Sequence, residues 1–524
     1  MNLSLEGLVL AGSLALSFSF LVYGMNILHL TRRARRYRNP PYMPASQRPA
    51  VAVHLPIYNE VYVVERLIDS CIQMAHHYGR ELVRIMVIDD STDETRDVVD
   101  RLVKQYSAEG YRIEVIRRGT RRGFKAGALQ AALERTWEEF IAIFDADFAP
   151  PPNFLEITIP HLLQDPAVGF VQCRWDHFNR CYNGITKTIS IGVDAHFVVE
   201  QAGRWASGYL INFNGSAGVL RREAIIRAGG WCTDTLAEDL DLSYRIQLQG
   251  YRAVYLRDMT ARSELPPTIM SLKRQQGRWA RGSLQAARKL MGQVVRSSLL
   301  SPIQKFEAAI HLTYYLVHPL MVASFGLALL ATFLHIDVIR YAVEISLPQV
   351  GSLDDIANAL TRENVAYFTF SVAPWLIFAI LVLVSTCSVL LYCIQALRMQ
   401  KMSILKNLKH LILLVIIGYG ISISNSVHAL AGLLSRRTGT FRRTPKYHIA
   451  EKSDRWRGKK YQIPLDKITA IEGAAAALAG GATYKALLSQ NIGILPILVI
   501  YLLGYGLVFG LSLAQTIHIT GSAD

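Results

Sequence analysis

Two acidic pairs, Asp145 with Asp147 and Glu238 with Asp239, have the residue types and spacing best suited to chemistry. The first pair follows the apolar run Ile141–Phe144, which is typical of a buried strand that delivers carboxylates to its carboxyl end, where open α/β sheets bind ligands. The second pair is followed by Gln275–Trp279 at the start of a basic helix. A metal-nucleotide site needs a hard oxygen ligand, a cation for phosphate charge and a base for the attacking group. These stretches supply all three.

Three further polar stretches lie where ligands could be held. Tyr58–Glu60 ends the first predicted strand, and the alternative is a turn with a helix cap. Asp89–Asp93 ends the next strand, where acids can hold ribose hydroxyls or a base edge, and the alternative is a helix cap by Ser91 or Asp93. Gly123–Gly127 places Lys125 at a helix start, which suits a diphosphate as well as an ordinary loop. Each of these stretches alone has a simpler explanation. Asp145 with Asp147 could be a chance pair, and Glu238 with Asp239 could lie on a solvated helix surface. Gln275–Trp279 could be a helix turn with a salt-bridged arginine.

Strands and helices alternate between about Val51 and Leu290 and predict a mostly parallel sheet. The predicted strands are Val51–Leu55, Arg84–Asp89, Arg112–Arg117 and Ile141–Asp145, and the predicted helices are Val61–Tyr78, Thr92–Tyr106 and Ala126–Arg135.

The composition of the 524-residue chain indicates a membrane protein with more than one domain, because its hydrophobic share of 51% is concentrated in long apolar runs. A net charge of +15 suits nucleic acid, an anionic membrane surface or phosphorylated substrates. Many Lys and Arg residues flank the apolar runs, so the positive charge is best explained by its role in orienting the protein in the membrane. No nucleic-acid recognition motif is visible, so nucleic acid is not expected as a partner. The six cysteines lack metal-ligand spacing and are predicted to be reduced thiols.

Five apolar runs are predicted to span the bilayer: Gly7–Leu28, Leu312–Ile336, Tyr367–Leu397, Ile468–Leu488 and Ile492–Ala514. The basic clusters at 31–38 and 436–460 are both predicted to be cytoplasmic. That placement leaves Leu411–Leu434 unable to cross once, so it is predicted to be re-entrant or interfacial. Glu472 lies within a predicted span and could line a pathway, although a helix-end acid near the interface is the simpler explanation.

The order of the motifs resembles a known family. Asp89–Asp93, Phe124–Leu129, Ile143–Phe148, Phe213–Gly218 and Gly229–Trp231 precede Glu238–Asp239 and the Gln-x-x-Arg-Trp motif that ends at Trp279. This series resembles family 2 glycosyltransferases, specifically the membrane-embedded processive group that contains cellulose and hyaluronan synthases. It is most similar to plant cellulose-synthase-like mannan and glucan synthases. The resemblance covers about Val51–Leu290 and Phe441–Lys446. Ala237 and Ser216 stand where many members have Thr, and the single amino-terminal span is fewer than cellulose synthase has.

The resemblance implies an α/β fold, a GT-A type nucleotide-sugar-binding domain with a mixed, mostly parallel sheet, inserted in an α-helical transmembrane region. The expected divisions are an amino-terminal span (1–40), a glycosyltransferase domain (45–290), interfacial and transmembrane helices (291–434), a basic gating-loop-like segment (435–466) and carboxy-terminal spans (467–524).

The resemblance also implies a role for each matching residue. Asp239, beside Glu238, is the expected catalytic base, and Asp147 the expected ligand of Mg²⁺ or Mn²⁺. The expected nucleotide-sugar-binding residues are Tyr58, Glu60, Asp90, Lys125, Asp145, Arg278 and Lys446. Thr444 and Lys446 match the gating segment, and Lys446 or Arg443 is expected at the diphosphate. The expected acceptor-binding residues are Phe213, Asn214, Gly215, Ser216, Trp231, Gln275 and Trp279.

The implied function is an inverting, processive glycosyltransferase that makes a β-linked glucan or mannan from UDP-glucose or GDP-mannose and secretes it through its own channel. The expected partners are the nucleotide sugar, the growing polysaccharide, the lipid bilayer and accessory secretion proteins. The expected location is the plasma (inner) membrane, with the catalytic domain in the cytoplasm. Two alternatives are a non-processive transferase acting on a lipid, and a channel or transporter with an inactive nucleotide-binding domain. The intact acids weigh against the second alternative.

Overall fold

A seven-stranded sheet forms the centre of the computed structural model, which describes residues 5–41, 44, 47–334, 384, 387–435, 437–491 and 493–520. The strands are β1 (Val51–Ile57), β2 (Val83–Asp89), β3 (Arg112–Ile116), β4 (Phe140–Ile143), β5 (Val168–His177), β6 (Gly218–Arg221) and β7 (Arg252–Ser263). Their order is β3-β2-β1-β4-β6-β5-β7. Neighbours are parallel except on either side of β6, so the predicted mixed, mostly parallel sheet is confirmed.

Helices cover both faces of this sheet because the side chains of each strand alternate between them. The helices up to β7 are α1 (Leu5–Ala34), α2 (Val64–Tyr78), α3 (Thr95–Ala108), α4 (Phe124–Leu133), α5 (Phe154–Gln164), α6 (Gly184–Asp194), α7 (Ala202–Ala206), α8 (Arg222–Arg227) and α9 (Glu238–Leu248), with a π-helical turn at Ala195–Gln201. Val51, Val53 and Leu55 of β1 pack on the side of α2, α3 and α5. Ala52 packs on the opposite side, with α4, α8 and α9. The carboxyl ends of β1, β2 and β4 consequently open on one edge.

Element boundaries differ from the predicted ones near the ligand-bearing loops. β1 continues to Ile57, and α3 begins at Thr95 instead of Thr92. Neither Ser91 nor Asp93 is the residue that caps α3, since its N-cap is Glu94 and makes no side-chain cap bond. Ser91 Oγ accepts the N–H of Asn59 at 2.9 Å instead, and Asp93 accepts the N–H of Thr95 at 3.1 Å. The first of these bonds ties the loop after β2 to the residues that follow β1.

Long helices follow the sheet. They are α10 (Ile269–Arg296), α11 (Pro302–Thr313), α12 (Val317–Phe333), α13 (Cys387–Met399), α14 (Ile404–Gly420), α15 (Ser422–Leu434), α16 (Lys467–Leu488) and α17 (Leu495–Thr520). Among the described residues, three stretches are long and apolar enough to cross a membrane: Gly7–Ala34, Pro302–Phe333 and Leu495–Thr516.

Three of the five predicted spans therefore have a matching helix. The predicted span Tyr367–Leu397 lies largely outside the described residues. The predicted span Ile468–Leu488 is helical, but Glu472, Lys485 and many small residues make α16 less apolar than a span identified by composition. α16 nevertheless packs antiparallel to α17, since Gly473 faces Phe509 and Gly480 faces Leu502. The predicted domain limits stay predictions.

The bent helix pair α14–α15 corresponds to the segment that was predicted to be re-entrant or interfacial. The two helices form an angle of 51°, which fits either a broken span or a re-entrant loop. Just before the pair, Gln400 accepts a hydrogen bond from Arg174 at 3.1 Å. Just after it, the carbonyl of Ser435 accepts one from Arg288 of α10 at 2.5 Å. Both ends lie against the sheet domain and its following helix, which favours the re-entrant interpretation.

We expect Ala108 and Ser453 to lie on one side of the membrane and Ser489 on the other. Ala108 ends α3, Ser453 belongs to the segment that contacts the sheet domain, and Ser489 follows α16 at the far end of the helical hairpin. In intact cells, and in a variant without native cysteines, Ala108→Cys and Ser453→Cys should resist an impermeant thiol reagent, whereas Ser489→Cys should react. Reaction of Ser453→Cys together with Ser489→Cys would instead mean that α14–α15 crosses the bilayer.

Candidate active site

A pocket opens at the carboxyl edge of the sheet, between the strand-end loops, the amino terminus of α9, the first turns of α10 and the segment 441–446. Thirteen of the seventeen predicted site residues line it. They are Tyr58, Glu60, Asp90, Lys125, Asp145, Asp147, Asn214, Glu238, Asp239, Gln275, Arg278, Trp279 and Lys446. Residues separated by almost 400 positions in sequence thus share one cavity.

Four predicted acceptor residues lie outside the lining. Phe213 is fully buried and packs against Phe170, and Trp231 is buried in the same hydrophobic cluster beneath the sheet. Both residues pack in the core and neither lines the pocket, so their contact with an acceptor stays a prediction. Gly215 and Ser216 support lining residues instead: the Gly215 carbonyl accepts from Lys125 Nζ at 2.8 Å, and Ser216 Oγ accepts the N–H of Asp145 at 3.0 Å.

Gly215 also allows a close approach to the predicted base. Its φ is +79°, and a Cβ at this position would lie 2.6 Å from Asp239 Oδ2. Any side chain would therefore strain the backbone and displace the carboxylate.

Lys125 is the cation at the centre of the acidic groups. Its Nζ lies 2.6 Å from Asp145 Oδ1 and 3.5 Å from Glu238 Oε1. Burial alone would lower the pKa of Lys125, but Asp145, Glu238 and Asp239 outweigh burial and raise it, so the ammonium group stays charged. Burial raises the pKa of Asp145, and Lys125 opposes that rise. The pocket thus holds a fixed positive charge beside its acids.

Asp239 has the properties of a general base. It lies in the first turn of α9, where its Oδ1 accepts the N–H of Leu240 at 2.8 Å. Burial, and then the neighbouring Glu238 carboxylate, raise the pKa of Asp239 to about 7. A carboxylate that titrates near neutrality can accept a proton more readily than an ordinary aspartate.

Two arginines that were not predicted shape the side of the pocket nearest β2. Arg118 pairs with both carboxylate oxygens of Asp90, with Nε 3.0 Å from Oδ1. The guanidinium carbon of Arg121 lies 3.3 Å from the ring centroid of Tyr58. The basic cluster after β3 was the available signal in the sequence, but it has no spacing that assigns it to a site.

The segment 441–449 covers the pocket through ion pairs. Arg443 lies 2.9 Å from Glu60, and Lys446 Nζ lies 2.8 Å from Asp147 Oδ2. Burial raises the pKa of Glu60 to about 8, and Arg443 opposes that rise. Lys446 also donates to the carbonyl of Glu264 at 2.5 Å.

Glu264 is a third residue that the sequence analysis did not predict. Its two carboxylate oxygens accept the N–H groups of Tyr447 at 2.8 Å and Ile449 at 3.1 Å. A single glutamate between β7 and α10 forms no motif, so only the folded structure identifies it as an anchor of this segment.

Asp147 fits the role of a divalent-metal ligand. The hydrogen bonds that described residues make to its carboxylate, from the Glu264 N–H and Lys446 Nζ, both end on Oδ2. Oδ1 is then the oxygen available to a hard cation such as Mg²⁺ or Mn²⁺, and phosphate oxygens and water would complete the coordination shell.

A second acidic cluster, Cys232, Asp234 and Asp241, has atoms close enough together to hold a cation. Lys289 already forms ion pairs with its two carboxylates, at 2.9 Å from Asp234 and 3.0 Å from Asp241. It lies outside the pocket lining.

Residues 49–282 match the family described as glycosyltransferase like family 2, which places the similarity to this family in the sheet domain and the first part of α10. The sheet and the pocket agree with the GT-A type fold expected of such a domain.

Two plant mannosyltransferases are similar to about half of this chain. The probable glucomannan 4-beta-mannosyltransferase 7 of Oryza sativa subsp. japonica is 38% identical over 262 residues, which cover 49% of this chain and 44% of that protein. The glucomannan 4-beta-mannosyltransferase 7 of Arabidopsis thaliana is 36% identical over 262 residues, which cover 49% and 47%. The chain spans about half the length of these relatives. The mannosyltransferase PcManGT from Pyrobaculum calidifontis, solved with GDP-Man and Mn²⁺, is 23% identical, with a TM-score of 0.47 and coverage of 71% of this chain and 98% of that one.

We expect Glu264→Gln to loosen the segment over the pocket. The substitution removes the charge and one of the two acceptors that hold Tyr447 and Ile449. Charge-assisted hydrogen bonds contribute about 1.5–3 kcal/mol each, so hydrogen exchange at these two amides should accelerate roughly 10- to 100-fold.

Glu94→Gln is the matched control for this experiment. Glu94 pairs with Lys460, which lies beyond the segment 441–449, at the protein surface, where ion pairs contribute little. Unchanged exchange in the Glu264 variant, or equal acceleration in both variants, would contradict the assignment of Glu264 as the anchor.

Proposed function

We propose that this protein is an inverting, metal-dependent glycosyltransferase that polymerises a β-linked polysaccharide from a nucleotide sugar. The observation that supports this proposal best is Asp239, a partly buried carboxylate with a pKa raised to about 7, in one pocket with Lys125, Asp147 and Arg278. The pocket combines a base, cations for phosphate and a hard metal ligand. The relatives that carry the name glucomannan 4-beta-mannosyltransferase favour GDP-mannose over UDP-glucose as the donor.

The donor would lie along the strand ends. Asp90 and Asp145, which line the pocket with Tyr58, would hold the nucleoside, and Arg118 would fix the carboxylate of Asp90. Asp147 would hold Mg²⁺ or Mn²⁺, which supplies charge neutralisation to the diphosphate when it is bound.

Lys125 and Arg278 would stabilise the negative charge that develops on the departing diphosphate. Lys446 and Arg443 reach the same cavity from the segment above, where they now pair with Asp147 and Glu60. A bound diphosphate would compete for these two side chains, and this competition would draw the segment onto the donor.

Transfer would proceed by a single displacement. Asp239 takes the proton from the acceptor hydroxyl as that oxygen attacks the anomeric carbon, and the C–O bond to the diphosphate breaks with its electron pair. Attack from the face opposite the leaving group inverts the anomeric centre, so an α-linked donor yields a β-linkage. Trp279 and Gln275 would hold the terminal sugar of the acceptor, since an aromatic ring can bury the apolar face of a pyranose.

The membrane helices suit a product that leaves through the protein. α10 carries Gln275, Arg278 and Trp279 at its start and packs extensively on α15, which places the site beside the helical region. We propose a multi-pass plasma (inner) membrane protein with its glycosyltransferase domain in the cytoplasm and with accessory secretion proteins as further partners. A lipid acceptor is the alternative that the product experiment below tests.

The experiment is product analysis with purified full-length protein. With GDP-mannose or UDP-glucose and Mn²⁺, we expect long β-linked polymer while most of the donor remains, and loss of product in chelator. Trp279→Ala should reduce chain length more than donor hydrolysis, because it removes the sugar-binding surface and leaves the donor site intact. A lipid that carries one sugar as the only product at every donor level would establish the alternative.

We expect Asp239→Asn to lower the transfer rate by about 100- to 10,000-fold, the usual contribution of a general base. Nucleotide binding should remain. In the wild type, kcat/KM should be level above about pH 7 and fall about tenfold per pH unit below it, since the carboxylate is lost as pH falls through its pKa. Wild-type turnover in the variant, or a rate that rises towards acid pH, would rule out Asp239 as the base.

A further inference from the structure

His177 lines the pocket and has no role in the reaction described so far. It is the last residue of β5, pairs in register with Ser263 at the end of β7, and is only 5% exposed. Its neighbours in the lining include Trp175 and Glu264.

The imidazole of His177 lacks internal partners. No hydrogen-bond partner within the described ranges reaches Nδ1 or Nε2 of His177, and both atoms are buried. Native proteins pair nearly all buried polar atoms, and an unpaired one usually marks a ligand, a water or an ion. Neighbouring polar groups differ in this respect, because the Trp175 indole N–H donates to the Ser216 carbonyl at 3.2 Å and the Glu264 carboxylate is engaged by Tyr447 and Ile449.

The backbone around His177 is held firmly. The N–H of Phe178 donates to the Ser263 carbonyl at 3.0 Å, and Ser263 Oγ donates to the Asp176 carbonyl at 3.3 Å. The guanidinium of Arg66 stacks on the Phe178 ring at 4.3 Å. The strand end that carries His177 is therefore fixed at the pocket lining.

The imidazole is also neutral at physiological pH. Burial lowers the pKa of His177 to about 4, Asp194 and Asp176 oppose that fall, and Arg180 and Lys446 reinforce it. A neutral imidazole offers one N–H donor and one acceptor nitrogen. This complement suits a hydroxyl group, which also donates and accepts, whereas phosphates would be held by the cations Lys125, Arg278 and Lys446 of the lining.

We infer that His177 binds a ring hydroxyl of the transferred hexose and is a specificity-determining residue for the donor sugar. The inference rests on the proposed function, since it requires a nucleotide sugar in the pocket. A buried site built to bond a hydroxyl rejects a sugar that lacks it or presents it in the wrong orientation, because the protein group is then left unpaired. His177 would thus contribute to the choice between hexoses, while Asp90 and its neighbours hold the nucleoside.

The test compares binding of the nucleotide sugar with binding of the bare nucleoside diphosphate. Calorimetry on full-length protein with Mn²⁺ would use Asp239→Asn as the parent, so that the donor is not consumed. Adding His177→Phe, which keeps ring volume and removes both polar atoms, should weaken GDP-mannose or UDP-glucose binding about tenfold, the effect of one hydrogen bond. Binding of GDP and UDP should change less than twofold. Restoration of binding by His177→Gln would support the contact.

Monodeoxy donors locate the contact. One of them should bind the parent about tenfold more weakly than the intact donor, yet bind the His177→Phe variant as well as the intact donor does. His54→Phe is the matched control, since His54 is a buried histidine on β1 outside the pocket. It should leave the ratio of sugar to diphosphate affinity unchanged.

Each other outcome is decisive. Equal losses for nucleotide sugar and nucleoside diphosphate would place His177 at the diphosphate or its metal and overturn the inference, as would unchanged binding of every donor. Retained diphosphate binding establishes that the variant is folded. Failure of the parent to bind any nucleotide or nucleotide sugar would instead overturn the proposed function.

Discussion

The structure depends on keeping several buried and partly buried carboxylates in one pocket. Asp145, Asp147, Glu238, Asp239, Glu60 and Glu264 would repel one another if all were ionised without compensation, and burial raises the cost of each charge. The compensation comes from cations on separate parts of the chain. Lys125 lies on α4, whereas Arg443 and Lys446 lie on the segment that follows the helix pair α14–α15. The balance of charge therefore joins the sheet domain to the segment that follows the helix pair α14–α15.

The sequence predicted the strands and helices whose pattern of apolar and polar residues matches their position in the folded structure. Strands β1, β2 and β4 are apolar runs that end in polar residues, and the acids after them do meet at one edge. β6 has only four residues and could not be distinguished by periodicity. The predicted start of α3 was wrong. The residues before this helix form loop hydrogen bonds with Asn59 and within Asp93–Thr95, and these bonds compete with helix formation there.

The sequence predicted the site correctly where the side chain of a motif residue lines the pocket. It did not predict which motif residues pack in the core and support the fold instead. Phe213 and Trp231 belong to recognisable motifs, yet their rings pack in the core beneath the sheet. Neighbouring polar and glycine residues line the pocket or support the residues that line it. Glu264 and His177 belong to no sequence motif. The role of a single acid or histidine depends on its neighbours in the folded structure, so the sequence could not assign either residue to the site.

The contact between Lys446 and Asp147 has a consequence for synthesis of the chain. The two residues are 299 positions apart, and several apolar helices must emerge from the ribosome between them. Domains generally fold as they emerge, amino-terminal part first. The sheet domain would thus close around its acids before Arg443 and Lys446 exist, and would pass through a period in which protons or divalent cations must stand in for them. The nascent domain should be less stable at neutral pH than the finished protein, and the membrane insertion machinery would receive it in that state.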